Sequence, residues 1–241
     1  MKKAIRKMVA STALFTVELV VIWSVFLLCL VLFFWLGHEV LPGRELGFDS
    51  RAFAWADERA NPGLTEFIKG ITFLASRNFI TGAGLMLIGY FLFVKKHKWY
   101  SLKVPVIAVG SISLNLLLKY LFNRPRPFIP HLVDSYGLSF PSGHAMISAS
   151  FYGLLIYLVW KNVEVAAWRY LLVILLSLLI LFIGFSRVYL HVHYATDVIA
   201  GLAAGLGWVI LAVFLLNRME KFSKRNLNPV VKEGLPTSSA P

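Results

Sequence analysis

The feature that most limits what this chain can become is a series of apolar runs, several near or above the ~17–25 residues that cross a bilayer as helix. The first, "TVELVVIWSVFLLCLVLFFWL", is followed by five more. We place spanning helices at Thr12–Leu36, Phe79–Val94, Val104–Phe122, Ala145–Trp160, Tyr170–Phe185 and Ala195–Leu216. The second and fourth are short, so their ends are expected to extend into the polar flanks. The first run is too long for a signal-peptide core, and no small-residue cleavage site follows it closely, so it reads as an uncleaved first span. Composition agrees: 58% of residues are hydrophobic and 15% charged, against about 25% charged in a soluble domain. The expected fold class is an all-α polytopic membrane protein with six spans. The single cysteine, Cys29, allows no disulfide within the chain and reads as a small lipid-facing or packed residue.

A net charge of +12 could suggest nucleic acid, but its distribution argues otherwise. If the N-terminus lies inside, the inner segments hold 15 of the 24 Lys and Arg residues, among them Lys2, Lys95, Lys96, Lys161, Arg169 and Lys221. That is the positive-inside pattern, with both termini cytoplasmic. We therefore expect no nucleic-acid partner and no obligate protein partner; the partners are the bilayer and a membrane lipid.

Between the first two spans lies an outer loop with apolar residues at helical spacing: Phe48, Phe53 and Trp55, then Leu64, Phe67, Ile68 and Ile71. The turn "NPG" separates the two sets. They read as a short amphipathic helical segment at the outer face. Residues 1–225 form the membrane domain, and 226–241 read as a disordered cytoplasmic tail, rich in Pro, Ser and Gly.

Ionisable groups in such a chain are costly and tend to face the bundle interior. Three outer clusters gather them. In "KYLFNRPRP", Lys119 lies near the end of the third span, and two prolines then force extended backbone that carries Arg124 and Arg126. In "SFPSGHA", Ser142 and Gly143 open the fourth span, where free amides and the helix dipole favour an anion, and His144 sits in the first turn. In "SRVYLHVHYATD", Arg187 ends the fifth span, and His193 and Asp197 lie four apart, close enough to meet on a helix. A carboxylate that orients one imidazole nitrogen leaves the other as a nucleophile. Steps of four then reach Gly201 and Gly205, a spacing that allows close helix packing. Helix direction alone brings all three clusters to one face.

The pooled residues make a phosphate site with three cations (Lys119, Arg126, Arg187), an anion-binding helix start, two histidines and a carboxylate. No metal-ligand set is among them, and no cofactor is expected. Phosphoryl transfer needs mainly positioning and neutralised oxygen charge. These residues alone leave open which histidine attacks.

The pattern resembles the phosphatidic acid phosphatase type 2 family, whose signature is K-x6-R-P, P-S-G-H and S-R-x5-H-x3-D. Here it runs from Lys119 to Asp197 through Arg126–Pro127, Pro141-Ser142-Gly143-His144, Ser186-Arg187 and His193, without departure. The resemblance implies that His193 forms a phosphohistidine and Asp197 orients it. It implies that His144 protonates the leaving oxygen. Lys119, Arg126, Arg187, Ser142 and Gly143 would hold the phosphate. The implied activity is a metal-independent lipid phosphatase at the outer face of the plasma membrane. Undecaprenyl diphosphate, phosphatidylglycerophosphate and phosphatidic acid are the candidate substrates. A phosphotransferase would share the first half-reaction. A transporter would string ionisable groups across the midplane instead of gathering them at one face. A haloperoxidase would use a similar site but is typically soluble. His191 is expected at the interface, pointing away from His193. His131 and Asp134 are expected in a solvated loop, and Glu18 in a structural pairing or snorkelling near the inner end of the first span. Arg124 is open between a second phosphate and a helix anchor.

Overall fold

The computed structural model describes residues 2–41 and 45–233, with side chains from 17 to 225 except 18 and 42–44. The expected role of Glu18 falls outside the described side chains. Eight helices follow in order: α1 (Lys2–Val40), α2 (Gly47–Asp57), α3 (Pro62–Phe73), α4 (Arg77–Gly89), α5 (Lys98–Phe122), α6 (Gly143–Asn162), α7 (Ala166–Tyr189) and α8 (Ala195–Glu233). A π-helical turn at Tyr90–Val94 extends α4. Six segments are long and apolar enough to span: Leu19–Val40, Arg77–Val94, Lys98–Phe122, Gly143–Asn162, Ala166–Tyr189 and Ala195–Arg225. They match the six expected spans. As anticipated, the second and fourth reach into their polar flanks. The chain is thus an all-α multi-pass membrane protein. Part of the expected tail, up to Glu233, continues α8 as helix, and 234–241 lie outside the described residues.

α6 sits at the centre, packed on α5, α7 and α8. Small residues make the close approach to α8 possible. A Cβ on Gly201 would meet the Ser142 carbonyl at 2.6 Å, and one on Gly205 would collide with the Met146 carbonyl. Only glycine lets the two backbones lie this near. Ser150 Oγ adds a bond to the Gly205 carbonyl at 3.2 Å. α1 packs its buried Cys29, Phe33 and Leu36 with Ala200 and Ala203 of α8. Its other face keeps Leu28, Val31 and Phe34 exposed, the arrangement expected of a helix that faces lipid.

The amphipathic segment expected between the first two spans forms α2 and α3, joined at the predicted turn. Asn61 Oδ1 caps Leu64 N at 2.9 Å, and Pro62 takes the first helical position, where its missing N–H costs nothing. These helices dock on the bundle end, through Phe53 with Val188, Tyr194 and Val198 and Ile68 with Tyr189, Leu190 and Val192. That end is where α5 and α7 finish and α6 and α8 begin.

Candidate active site

Asn123 ends α5 in the left-handed conformation, φ 46°, its N–H on the Lys119 carbonyl at 2.9 Å. The Arg-Pro-Arg-Pro stretch that follows is extended, as its prolines require. Its arginines diverge. Arg124 is fully buried and points into the bundle. Arg126 stays half-buried and bonds the carbonyls of Gly137 at 3.0 Å, Tyr136 at 3.0 Å and Val192 at 2.6 Å. Its Nη1 also lies 3.5 Å from His193 Nε2. Lys119 donates to the carbonyls of Leu138 and Ser139. Both cations are held by backbone oxygens of the 136–139 loop.

Ser142 is the N-cap of α6. Its N–H bonds the Asp197 carbonyl at 3.0 Å, which ties the start of α6 to the start of α8. The first intrahelical bond is Met146 N to Ser142 O at 3.0 Å, so the amides of Gly143, His144 and Ala145 precede the ladder and face the helix end. Ser142 Oγ is buried without a partner among the described residues. A Cβ on Gly143 would meet Asn115 Oδ1 at 3.1 Å, so part of the need for glycine there is room for Asn115. His144, in the first turn of α6, lies near the charges of Arg187, Arg126 and Lys119 and near the His193 ring.

His193 lies on the turn before α8, not within the helix, so the one-turn spacing from Asp197 has a different cause from the one expected. Asp197 occupies the third position of α8 and reaches back to accept from Tyr194 N at 3.1 Å. This is the reciprocal half of a capping box, and it fixes the carboxylate at the helix start. His193 Nδ1 is 3.5 Å from Asp197 Oδ2, while Ser139 Oγ stands 3.2 Å from the same nitrogen. That hydroxyl in turn donates to Asp197 Oδ2 in a short bond. Ser139 therefore sits between imidazole and carboxylate, accepting from Nδ1–H and donating onward. This arrangement leaves the lone pair on Nε2, facing Arg126. Burial, and then the charges of Lys119, Arg126 and Arg187, push the His193 pKa well below its ordinary 6.5.

Arg187 donates to Thr72 Oγ1 of α3 at 2.8 Å, and its Nε has no partner among the described residues. Arg187 Nε and Ser142 Oγ are thus each buried without a partner among the described residues, a cost that a bound polar group would offset.

Arg124 is held between two buried carboxylates. Its Nη1 pairs with Asp197 Oδ1 at 2.6 Å and bonds Thr196 Oγ1 at 2.9 Å, and its Nη2 reaches Asp49 Oδ2 at 3.3 Å. Asp49, on α2, also accepts from Thr196 N at 2.9 Å. Asp49, Thr72 and Ser139 are absent from the sequence-based set. For Asp49 a signal existed: it shares the buried face of α2 with Phe53 and Ala56, at spacings of four and seven, and an acid on an apolar face is out of place. Ser139 and Thr72 carry no such signal. His191 is buried, with φ 61°, Nδ1 on the Pro130 carbonyl at 3.1 Å and Nε2 at 3.0 Å from Asp57. A backbone turn and a carboxylate hold it. His131 and Asp134 are exposed in the loop, as expected. His131 bonds Pro127 O and Ser135 Oγ there.

Residues 100–221 match the model of the PAP2 superfamily. Phosphatidylglycerophosphatase B of Bacillus subtilis (strain 168) is 32% identical over 165 residues, 68% of this chain and 79% of the relative. Undecaprenyl-diphosphatase BcrC of the same organism is 26% identical over 53% of this chain and 64% of its own length. The crystal structure of a transmembrane PAP2-type phosphatidylglycerolphosphate phosphatase from Bacillus subtilis superposes with a TM-score of 0.69 at 27% identity. That match covers 85% of this chain and 98% of the other.

Proposed function

The chain belongs to the PAP2 superfamily as a membrane lipid phosphatase, and from that premise we propose that it removes the terminal phosphate of a membrane lipid through a phosphohistidine on His193. The observation that carries this reading is the pair of environments around one ring. Nδ1 is bound by Ser139 and Asp197, and Nε2 faces a guanidinium. A phosphate drawn to Arg126, Arg187 and Lys119 would present phosphorus to Nε2. The amides at the start of α6 add further donors to its oxygens.

In the first step Nε2 forms a bond to phosphorus as the P–O bond to the lipid breaks. The electron pair leaves with that oxygen, which takes a proton from His144. The incoming phosphate's negative charge favours the protonated state of His144 that this step needs. In the second step water attacks phosphorus, gives its proton to His144, and the N–P bond breaks. The products are the dephosphorylated lipid and inorganic phosphate. The three cations neutralise the oxygens throughout, a task for which no metal is required.

A lipid monoester of the phosphatidylglycerophosphate type is the preferred substrate in this reading. Arg124, which the sequence left open as a holder of a second phosphate, is already paired with Asp197 and Asp49. The site end faces outward, because the opposite end gathers Lys95, Lys96, Lys98, Lys161 and Arg169. The lipid tail stays in the bilayer. An apolar groove of about 420 Å³ between α2, α7 and α8, lined by Trp55, Phe185 and Val198 among others, is open to it beside the turn of α8 that carries Asp197.

The test is phosphate release in detergent with EDTA present, from phosphatidylglycerophosphate, undecaprenyl diphosphate, phosphatidic acid and a water-soluble ester. Release that survives EDTA and disappears in His193→Ala is expected, fastest with the first. A His193→Ala variant as active as the parent would sink the mechanism. Release of phosphate only when a second lipid is absent, with transfer when it is present, would make the protein a phosphotransferase.

A further inference from the structure

A fully buried arginine between two fully buried carboxylates, only one of them in the signature, calls for an explanation that phosphate binding does not supply. Arg124, Asp49 and Asp197 are each at most 1% exposed. Arg124 spans them with separate nitrogens, Nη1 to Asp197 Oδ1 and Nη2 to Asp49 Oδ2. Its guanidinium also lies 3.9 Å from the centre of the Tyr194 ring. Thr196 closes the cluster, giving N–H and Oγ1 to the two oxygens of Asp49 at 2.9 and 3.0 Å. Asp49 further accepts from Leu46 N. Asp197 is thus shared: Oδ1 goes to Arg124, and Oδ2 serves Ser139, Tyr194 N and the His193 side.

We propose that Arg124 is a positioning residue for the phosphatase reaction: paired with Asp197 in front and Asp49 behind, it keeps the Asp197 carboxylate ionised and fixed behind Ser139 and His193, and it makes α2 part of the active site. The inference rests on the reading of His193 as nucleophile. A carboxylate wholly removed from water takes up a proton unless a counter-charge and hydrogen bonds hold it ionised. A protonated Asp197 would be a weaker acceptor for the Ser139 hydroxyl and the Tyr194 amide on Oδ2, and the chain from Nδ1 through Ser139 would lose its anionic end. Lys119 and Arg126 lie further off, bonded to loop carbonyls, and are needed for phosphate. Arg124 is the cation in direct contact with Asp197. Asp49 in turn supplies the charge that balances Arg124, so the buried cluster closes with Asp197 anionic. The fork of a guanidinium reaches two carboxylates at once, where an ammonium offers a single point of charge.

Charged and titratable groups surround Asp197 and its partners: Arg124, Lys119, Arg126, His193 and Tyr194 lie about Asp197 itself, Asp49 (α2) pairs with Arg124, and His144 (α6) and Arg187 (α7) lie about His193. The experiment therefore compares pH profiles among variants and does not read one profile alone. The full-length protein in detergent, with phosphatidic acid in mixed micelles as probe, is assayed as parent, Arg124→Lys, Arg124→Gln with Asp49→Asn, and His193→Ala. The double variant removes one charge of each sign, so it leaves the buried cluster no further from neutrality than before. Elution and melting temperature establish that each variant is folded. At pH 6 the double variant should lose kcat by about 10- to 100-fold, the usual cost of removing a residue that orients a reacting group or ligand. KM should stay within about threefold, because no phosphate-binding group is touched. The loss should shrink as pH rises, since alkali ionises Asp197 without its partner's help. Arg124→Lys should keep the parent's profile at a lower kcat. A folded double variant with undiminished kcat, or with an equal loss at every pH, overturns the inference. If His193→Ala is as active as the parent, the reading of the site fails first, and an inactive His193→Ala beside an unaltered double variant condemns the inference alone.

Discussion

Gly201 of α8 lies so close to Ser142 of α6 that a Cβ would come within 2.6 Å of the serine's carbonyl oxygen, 3.1 Å of Ala145 Cβ and 3.3 Å of Met146 N. Two of these three are backbone atoms at the start of α6, so nothing there is the free end of a flexible side chain. This contact sets the distance between the helix start that offers amides and the helix start that carries Asp197. The Ser142 N–H to Asp197 carbonyl bond spans the same junction.

Gly201→Ala should therefore force the two helix starts apart. Overpacking of this kind costs about 1–3 kcal/mol, seen as a lower melting temperature in detergent together with lost activity per folded molecule. Gly207→Ala is the comparison, since its Cβ would find its nearest atom at 3.8 Å. If the two variants behave alike, the junction does not set the site geometry.

His144→Ala separates proton donation from phosphate binding. A general acid contributes about 100- to 10,000-fold when the leaving group is a poor one. The variant should lose that much with an alkyl lipid phosphate and far less with nitrophenyl phosphate, whose leaving group needs no proton. Equal losses on both esters would remove His144 from the acid's role.

His193 couples stability to pH. Its pKa in the folded protein is well below 6.5, while an unfolded histidine titrates near 6.5. Below that pH the unfolded state binds a proton that the folded state refuses, so stability falls as pH drops through the window beneath 6.5. The loss approaches about 1.4 kcal/mol per pH unit below 6.5, until the folded pKa is reached. Melting between pH 7 and 5 should fall more steeply in the parent than in His193→Asn. Parallel curves would mean that the ring is protonated, or exposed, in the folded state.

Thr72→Val tests the tie between α3 and Arg187. The hydroxyl is the guanidinium's partner at 2.8 Å, and valine keeps the shape without it. An Arg187 left to choose its own rotamer should bind phosphate more weakly, raising KM several-fold with a smaller change in kcat. Loss of one buried hydrogen bond, about 1–3 kcal/mol, bounds the effect. An unchanged KM would reduce α3 to packing.

Sequence alone determined the membrane class, the six spans and the gathering of Lys119, Arg126, His144, Arg187, His193 and Asp197 at one end. Those follow from run length, helix direction and proline position, which are local or one-dimensional properties. It did not determine what each charge faces. Arg124 and Arg126 are two residues apart in the same extended stretch, yet one is sealed between Asp49 and Asp197 and the other stays half-open beside His193. Residues two apart on extended backbone share a face, so the divergence is not local: only the packed positions of α2, α8 and the loop 136–139 decide where each guanidinium goes. Asp49 is 148 residues before Asp197 and belongs to no motif. Its place in the site, like those of Ser139 and Thr72, comes from the docking of α2, the loop 136–139 and α3 on the bundle end, a long-range event with no spacing to betray it.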